Sequence, residues 1–211
     1  MQYQIIPVTA FAENCSIIWC EKTRQAAIID PGGEAALLIN AITQLGLSVD
    51  KILLTHGHLD HVGAAKTLAE HYQVKVYGPT MADKFWLDNL PHQSMQFGLP
   101  FCEAFVPDYW LKEGDEMTLG DEQLSVIHCP GHTPGHVVFM AHSAKLAFVG
   151  DVLFKGSIGR TDFPQGNYQD LMHSIKQKLL PLGDDITFIP GHGPVSTFGD
   201  ERMTNPYIIK G

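Results

Sequence analysis

Positive charge is scarce in this 211-residue chain: 14 Lys and Arg stand against 23 Asp and Glu, a formal net charge of −9. Lys/Arg runs are missing, and phosphate backbones are held by clustered cations, so a nucleic-acid partner is excluded. Apolar runs are short. None approaches the ~20 residues that span a bilayer, and Met1 to Pro7 has neither the basic start nor the apolar stretch of a secretory signal. Cysteine is sparse too: Cys15, Cys20, Cys102 and Cys129 are scattered without a CxxC pair. That pattern suits buried, reduced thiols and argues against a disulfide frame or a thiolate-held metal. A cytoplasmic location and no membrane partner are the expectations. With no repeat, low-complexity tract or linker, 45% apolar residues over this length predict a single domain, residues 1–211, around one sizeable core.

What is present alternates. β-like runs at 3–6, 16–19 and 26–29 lead to a turn at Asp30-Pro31-Gly32-Gly33. A helix is expected over 34–45, with Leu37, Leu38, Ala41, Ile42 and Leu45 at helical spacing and Gly46 as its stop. Strand 51–54, helix 62–71, strand 75–77 and a helix near 82–90 continue the series. Residues 91–107 hold three prolines and no clean period, and read as a long loop. Strands at 116–119, 123–128, 136–141 and 146–149 come next, then a helix over 168–179, a strand at 186–189 and a tail rich in turn residues. The closely spaced strands leave no room for helical crossovers, which argues against a doubly wound sheet. The expected architecture is α/β: a four-layer αββα sandwich of two mixed β-sheets flanked by helices.

One stretch carries chemistry. Thr55-His56-Gly57-His58-Leu59-Asp60-His61 puts four metal-binding side chains within six residues, just after Ile52-Leu53-Leu54. Imidazole and carboxylate bind borderline divalent ions such as zinc, iron and manganese. His56 and His58, two residues apart, do not share a helical face, so a loop at the end of a buried strand is expected. Three further strand ends offer ligands: His132 in Cys129-Pro130-Gly131-His132-Thr133-Pro134-Gly135-His136, Asp151 after Ala147-Phe148-Val149-Gly150, and His192 in Ile189-Pro190-Gly191-His192-Gly193-Pro194. Five histidines and two aspartates exceed the needs of one four-coordinate ion. They suffice for two ions if one carboxylate bridges. Cys129 is expected as a small buried thiol in preference to a substitute ligand, and Trp86, Phe97, Phe101, Tyr109 and Trp110 as packing residues in preference to a pocket lid.

In this order and context the residues resemble the signature of the metallo-β-lactamase superfamily. Gly131 to His136, Gly150-Asp151 and Pro190-Gly191-His192 are similar to glyoxalase II, the hydroxyacylglutathione hydrolases, in their short bacterial form; the resemblance covers nearly the whole chain. It implies that His56, His58 and His132 hold one divalent ion, that Asp60, His61 and His192 hold the other, and that Asp151 bridges them. Zinc is favoured, with iron or manganese also suited to the harder second site. The resemblance further implies hydrolysis of a small-molecule glutathione thioester such as S-D-lactoylglutathione to a 2-hydroxy acid and glutathione. A hydroxide between the ions, near the metal-held Asp60 and His61, would attack the carbonyl. Arg160 is then a basic substrate contact, Asp30 and His136 support the ligands from behind, and the expected state is a monomer or small homo-oligomer.

Two features depart from glyoxalase II. Asp162 stands where that family carries a tyrosine, and only 19 residues follow His192 in place of a C-terminal helical domain that supplies much of the glutathione contact surface. A more open mouth and broader specificity are expected. The alternative is a persulfide dioxygenase, with one iron held by two His and one Asp, which the chain resembles at Gly159-Arg160-Thr161-Asp162-Phe163. His136, where those enzymes carry cysteine, and Gly193-Pro194 after His192 weigh toward the hydrolase. So does the chemistry: a thiolate, with a conjugate acid of pKa ~8.5, leaves with little proton donation, whereas a lactam nitrogen does not.

Overall fold

The first half of the chain builds one sheet and the second half another. The computed structural model describes residues 1–210. β1 (Gln2–Val8), β2 (Glu13–Trp19), β3 (Gln25–Ile29), β4 (Ser48–Leu53) and β5 (Lys75–Tyr77) lie side by side in that order. β1 to β3 are antiparallel neighbours. β3, β4 and β5 run parallel, because helices α1 (Ala35–Leu45), α2 (Leu59–Val62) and α3 (Ala65–Tyr72) supply the crossovers.

A 3-10 turn, Met81–Asp83, and helices α4 (Lys84–Asp88) and α5 (Leu90–Phe97) lead out of this sheet. The second half opens with β6 (Glu116–Leu119), β7 (Glu122–His128), β8 (Val137–Ala141) and β9 (Leu146–Gly150), an antiparallel meander. A small hairpin, β10 (Leu153–Phe154) and β11 (Ser157–Ile158), precedes α6 (Tyr168–His173), which runs on as a π-helical stretch, Ser174–Leu179. β12 (Thr187–Pro190) then returns parallel to β9, and β13 (Ser196–Thr197) pairs on its outer side. Helices α7 (Phe198–Thr204) and α8 (Pro206–Lys210) close the chain. None of the described helices is long and apolar enough to cross a membrane.

Successive strand residues point to opposite faces, and both faces of both sheets are apolar, so three cores form. Ile17, Ile28, Ile52 and Leu54 pack outward against Leu38, Ile42 and Leu68 of the first helices. Their neighbours Ile18, Ala27, Ile29 and Leu53 pack inward against Val126, Val137, Phe139 and Phe148 of the second sheet. Val138, Met140, Ala147 and Val149 face Leu171, Ile175, Leu179 and Phe198 on the far side. The layers are therefore helix, sheet, sheet, helix, as the sequence pattern requires.

Several boundaries differ from expectation. Residues 91–107 are not loop throughout: α5 occupies 90–97, because Pro91 sits in the first helical turn, where its missing N–H costs nothing, and Gly98 at φ 64° ends the helix. The tail is not mainly turns: Thr197 caps α7 by accepting from Asp200 N at 3.0 Å, and Pro206 opens α8. The expected helix 62–71 is broken at Gly63-Ala64, and residues 59–62 form a helical turn of their own. Asp60 and His61 therefore lie on that turn rather than in a loop.

Candidate metal centre

The ligand-type residues converge at the strand ends where the two sheets meet. His56 and His58 leave the end of β4, His58 standing immediately before α2, which carries Asp60 and His61. His132 lies between β7 and β8, Asp151 directly after β9, and His192 two residues beyond β12. Among the described residues, three groups have ligand atoms within 4.8 Å of one another: His56, His58 and His132; Asp60, His61 and His192; and Asp30, His56 and His61, the last built on outward-facing atoms behind the other two. His58 Nδ1 is 3.1 Å from His56 Nε2 and 3.0 Å from His132 Nε2. His192 Nε2 is 3.3 Å from Asp60 Oδ2, and His61 Nε2 is 3.9 Å from the same oxygen. Asp151 touches both of the first two groups: Oδ1 is 3.5 Å from His61 Nε2, while Oδ2 is 3.5 Å from His132 Nε2 and 3.8 Å from His192 Nε2.

The outer nitrogens decide what the inner ones can be. His132 Nδ1 donates to the Arg160 carbonyl at 2.8 Å, and His192 Nδ1 to the Phe11 carbonyl at 3.1 Å. His61 Nδ1 faces Asp30 Oδ2 at 3.1 Å. Thr55 Oγ1 gives its single proton to Asp30 Oδ2 at 2.5 Å, which leaves it to accept from His56 Nδ1 at 3.0 Å. With those protons fixed outside, Nε2 of all four rings presents a lone pair to the centre. Facing lone pairs and carboxylates need a cation between them. His61 Nε2 and Asp151 Oδ1 are buried without a hydrogen-bond partner, and ligands 2.0–2.1 Å from a tetrahedral ion lie ~3.3–3.4 Å apart, close to the spacings here. The donor set fits divalent metal.

Asp30 and His136 lie behind the two ligand-type groups. Asp30 accepts from Thr55 N at 2.7 Å as well as from Thr55 Oγ1 and His61, so both its oxygens are spent away from the centre. His136 Nε2 accepts from Asp151 N at 3.1 Å, and its ring stacks on His56 at 4.7 Å. Burial holds His56, His58, His132 and His136 below the usual imidazole range, which leaves the first three neutral and ready to ligate. Burial also opposes charge on His61 and His192, but the carboxylates of Asp151 and Asp60 outweigh it and raise both, so the inner Nε2 of these two rings favours a cation, a proton in the absence of metal or the ion that displaces it. Asp60 and Asp151 are held below the carboxylate range by the same imidazoles, against burial.

Arg160 meets the site through its backbone. Its exposed guanidinium forms a two-point ion pair with Asp162, at 2.9 and 2.8 Å, and lies 4.4 Å over the Phe163 ring. In the sequence Phe163 stands out only through the dioxygenase-like motif, and Trp86 reads as packing in preference to a pocket lid. Both set ring edges or faces against His58, at 4.4 Å for Trp86 and 4.9 Å for Phe163. Also unforeseen are Glu13, fully buried with Oε1 3.7 Å from His61 Nδ1, and Gln93, whose Oε1 accepts from Leu59 N at 2.9 Å. Asp83, buried between two ligand loops, was missed as well. Each is a lone polar residue in an otherwise ordinary segment, so no spacing marks it. Cys129 is buried and unpaired, like the other three cysteines.

Comparison with known proteins agrees with this geometry. The sequence model of the metallo-beta-lactamase superfamily matches residues 8–192. Hydroxyacylglutathione hydrolase GloC of Haemophilus influenzae is 53% identical over 209 residues, covering 99% of this chain and 98% of that protein. Among solved structures, BLEG-1 B3 metallo-beta-lactamase superposes with a TM-score of 0.91 at 35% identity, covering 98% of this chain and 99% of that one. TTHA1623 in a di-iron-bound form gives 0.88 at 35% identity, with coverage of 97% and 99%. ETHE1 from Myxococcus xanthus is more distant, at 0.80 and 26% identity, with coverage of 98% and 84%. From the αββα layers, the ligand constellation and these full-length matches, it follows that the chain belongs to the metallo-β-lactamase superfamily.

Proposed function

We propose that the protein is a two-metal hydrolase of glutathione thioesters, with S-D-lactoylglutathione as the representative substrate and a 2-hydroxy acid and glutathione as products. The observation that carries this is Asp151, one carboxylate set between two groups of inward-facing ligands. In this reading His56, His58, His132 and Asp151 hold one ion, and Asp60, His61, His192 and Asp151 hold the other. Zinc suits both sets, and the carboxylate-rich second set also suits iron or manganese, in keeping with the di-iron relative. When bound, such ions supply Lewis acidity toward a carbonyl and bring the pKa of water down to about 7.

The chain's own residues do the rest. Thr55, Asp30, Arg160 and Phe11 lock the rings by their outer nitrogens, so the ligands are preorganised. Trp86 and Phe163 wall the His58 side, and His58 is left 8% exposed. Asp60 and Asp151 are both engaged with imidazoles, which suits a leaving thiolate that needs no acid. Arg160 is the proposed contact for an anionic substrate group, once Asp162 yields; an exposed ion pair of this kind is weakly held. The single domain and a cytoplasmic location belong to the same proposal, four unpaired thiols fitting a reducing compartment.

The relative at 53% identity favours the hydrolase over the dioxygenase, since ETHE1 stands at 26%. Purified protein is to be offered S-D-lactoylglutathione, a β-lactam and glutathione persulfide in parallel, following thiol release, lactam absorbance and oxygen uptake. Thiol release from the thioester is expected. Oxygen uptake or lactam opening without thioester cleavage would refute the proposal.

A further inference from the structure

The three-imidazole group is assembled from two loops that belong to different sheets, one carrying His56-Gly57-His58 after β4 and one carrying His132-Thr133-Pro134-Gly135 after β7. A single carboxylate lies between them. Asp83, at the end of the 3-10 turn, is fully buried; its Oδ2 accepts from Gly57 N at 2.9 Å and from Thr133 Oγ1 at 2.8 Å, and its Oδ1 accepts from Gly135 N at 2.6 Å. The turn is tied to the same second loop, because Thr80 N donates to Gly135 O at 3.0 Å. The two glycines are explained by this approach. A Cβ on Gly135 would stand 2.6 Å from Asp83 Oδ1, and one on Gly57 would stand 2.7 Å from Trp86 Cβ and 3.2 Å from Asp83 O.

We propose that Asp83 is a positioning residue for one ion site and not the other: it fixes the His56–His58 pair against His132 and so sets the affinity of the three-imidazole site. The inference rests on the ligand assignment made above. All three of these bonds go to loops of that group, whereas Asp60 and His61 ride on α2 and His192 follows β12. Hydrogen bonds from N–H and O–H to a carboxylate are charge-assisted and strong. Losing a partner that orients metal ligands typically weakens metal affinity ~10–100-fold.

The test is a titration of metal-free protein with cobalt(II), read by absorption and by competition with a chromophoric chelator. Wild type is expected to load in two steps, and the step that disappears in His58→Ala identifies the three-imidazole site. In Asp83→Asn one side of the carboxylate becomes an amide N–H₂ facing a donor, and that step is expected to weaken ~10–100-fold while the other stays within about threefold. Thr133→Val removes one of the three bonds without touching the carboxylate, and is expected to weaken the same step by a smaller factor. If Asp83→Asn does not fold, Thr133→Val decides alone. A merely structural role would lower the melting temperature and weaken both steps together; that result, or unchanged steps in Thr133→Val, overturns the proposal. Wild-type protein that does not take up two ions overturns the ligand assignment beneath it, whatever the variants do.

Discussion

The two glycines that flank His192 separate the integrity of the centre from the integrity of the fold. Gly191 has no left-handed backbone to protect, yet a Cβ placed on it would lie 2.2 Å from Asp151 Oδ1 and 2.6 Å from His61 Cε1. Ordinary contact begins near 3.4 Å, so in Gly191→Ala the Asp151 carboxylate has to retreat by about 1 Å. A displacement of that size in a catalytic constellation costs ~10²-fold in rate, or ~2.7 kcal/mol of barrier. Crowding of this kind costs about 1–3 kcal/mol of stability, which lowers Tm by ~2–12 °C in a chain of this length.

Gly193 is the counterpart. It sits at φ 77° with nothing within 4 Å of its Cβ position. Gly193→Ala thus pays only the left-handed penalty of about 1–2 kcal/mol, a Tm loss of ~2–8 °C, and keeps its metal and its rate. Stripped of metal, the two variants are expected to melt alike; supplied with metal, they are expected to differ ~100-fold in kcat/KM on the thioester, with Gly191→Ala holding less metal per chain. Thermal melts by circular dichroism, elemental analysis and steady-state kinetics read all three quantities. If Gly191→Ala stays within threefold of wild type, or Gly193→Ala loses as much, the reading of Asp151 as the shared ligand fails.

Three further outcomes are expected. Chelation abolishes activity and lowers Tm; at free metal a thousandfold above Kd the bound state gains about 4 kcal/mol, so stripping removes ~8–16 °C, and re-addition of zinc, iron or manganese restores it. Unchanged melting after complete stripping would count against a metal centre. Asp162→Ala releases the Arg160 guanidinium, and KM for the glutathione thioester is expected to fall while kcat and Tm hold; a raised KM would exclude Arg160 as an anion contact. Glu201→Ala leaves Ser196 Oγ, Gly156 N and Asn205 Nδ2 without the acceptor they share at 2.6–2.8 Å, at a cost of about 2–4 kcal/mol. The β10–β11 hairpin, whose Phe154 ring lies 6.4 Å from that of His192, is expected to become sensitive to protease; resistance equal to wild type would show that the tail does not hold it.

The convergence of the ligand-type residues was legible because His56, His58, His132, Asp151 and His192 each stand beside a glycine shortly after a run of strand-forming residues, with Asp60 and His61 close behind the first two, and because their number exceeded what one ion uses. The layers were legible for a similar reason: β7, β8 and β9 follow one another too closely for crossovers. What stayed hidden depends on residues distant in sequence. Asp83 makes sense only when the loops after β4 and β7 lie on either side of it. Glu13 becomes a buried neighbour of His61 only when β2 lies alongside the centre. α5 was obscured because Pro91 signals a break anywhere except in the first turn, where it stands. The tail helices were obscured because Thr197 and Pro206 are cap and opening residues that read equally well as turns.

Each sheet is drawn from one half of the chain, and this gives the centre a place in time. On a ribosome the N-terminal portion appears first. All five strands of the first sheet, residues 2–77, are synthesised well before β12 and His192. A nascent chain at that stage carries Asp30, His56, His58, Asp60 and His61 but none of His132, Asp151 or His192, and so has neither of the two groups that face Asp151 complete. The centre is finished only when the second sheet docks on the first. From then on an ion held there ties together segments more than a hundred residues apart and opposes their separation, much as a crosslink restricts an unfolded chain. The seam between the sheets, rather than either sheet, is where loss of the ion is felt first.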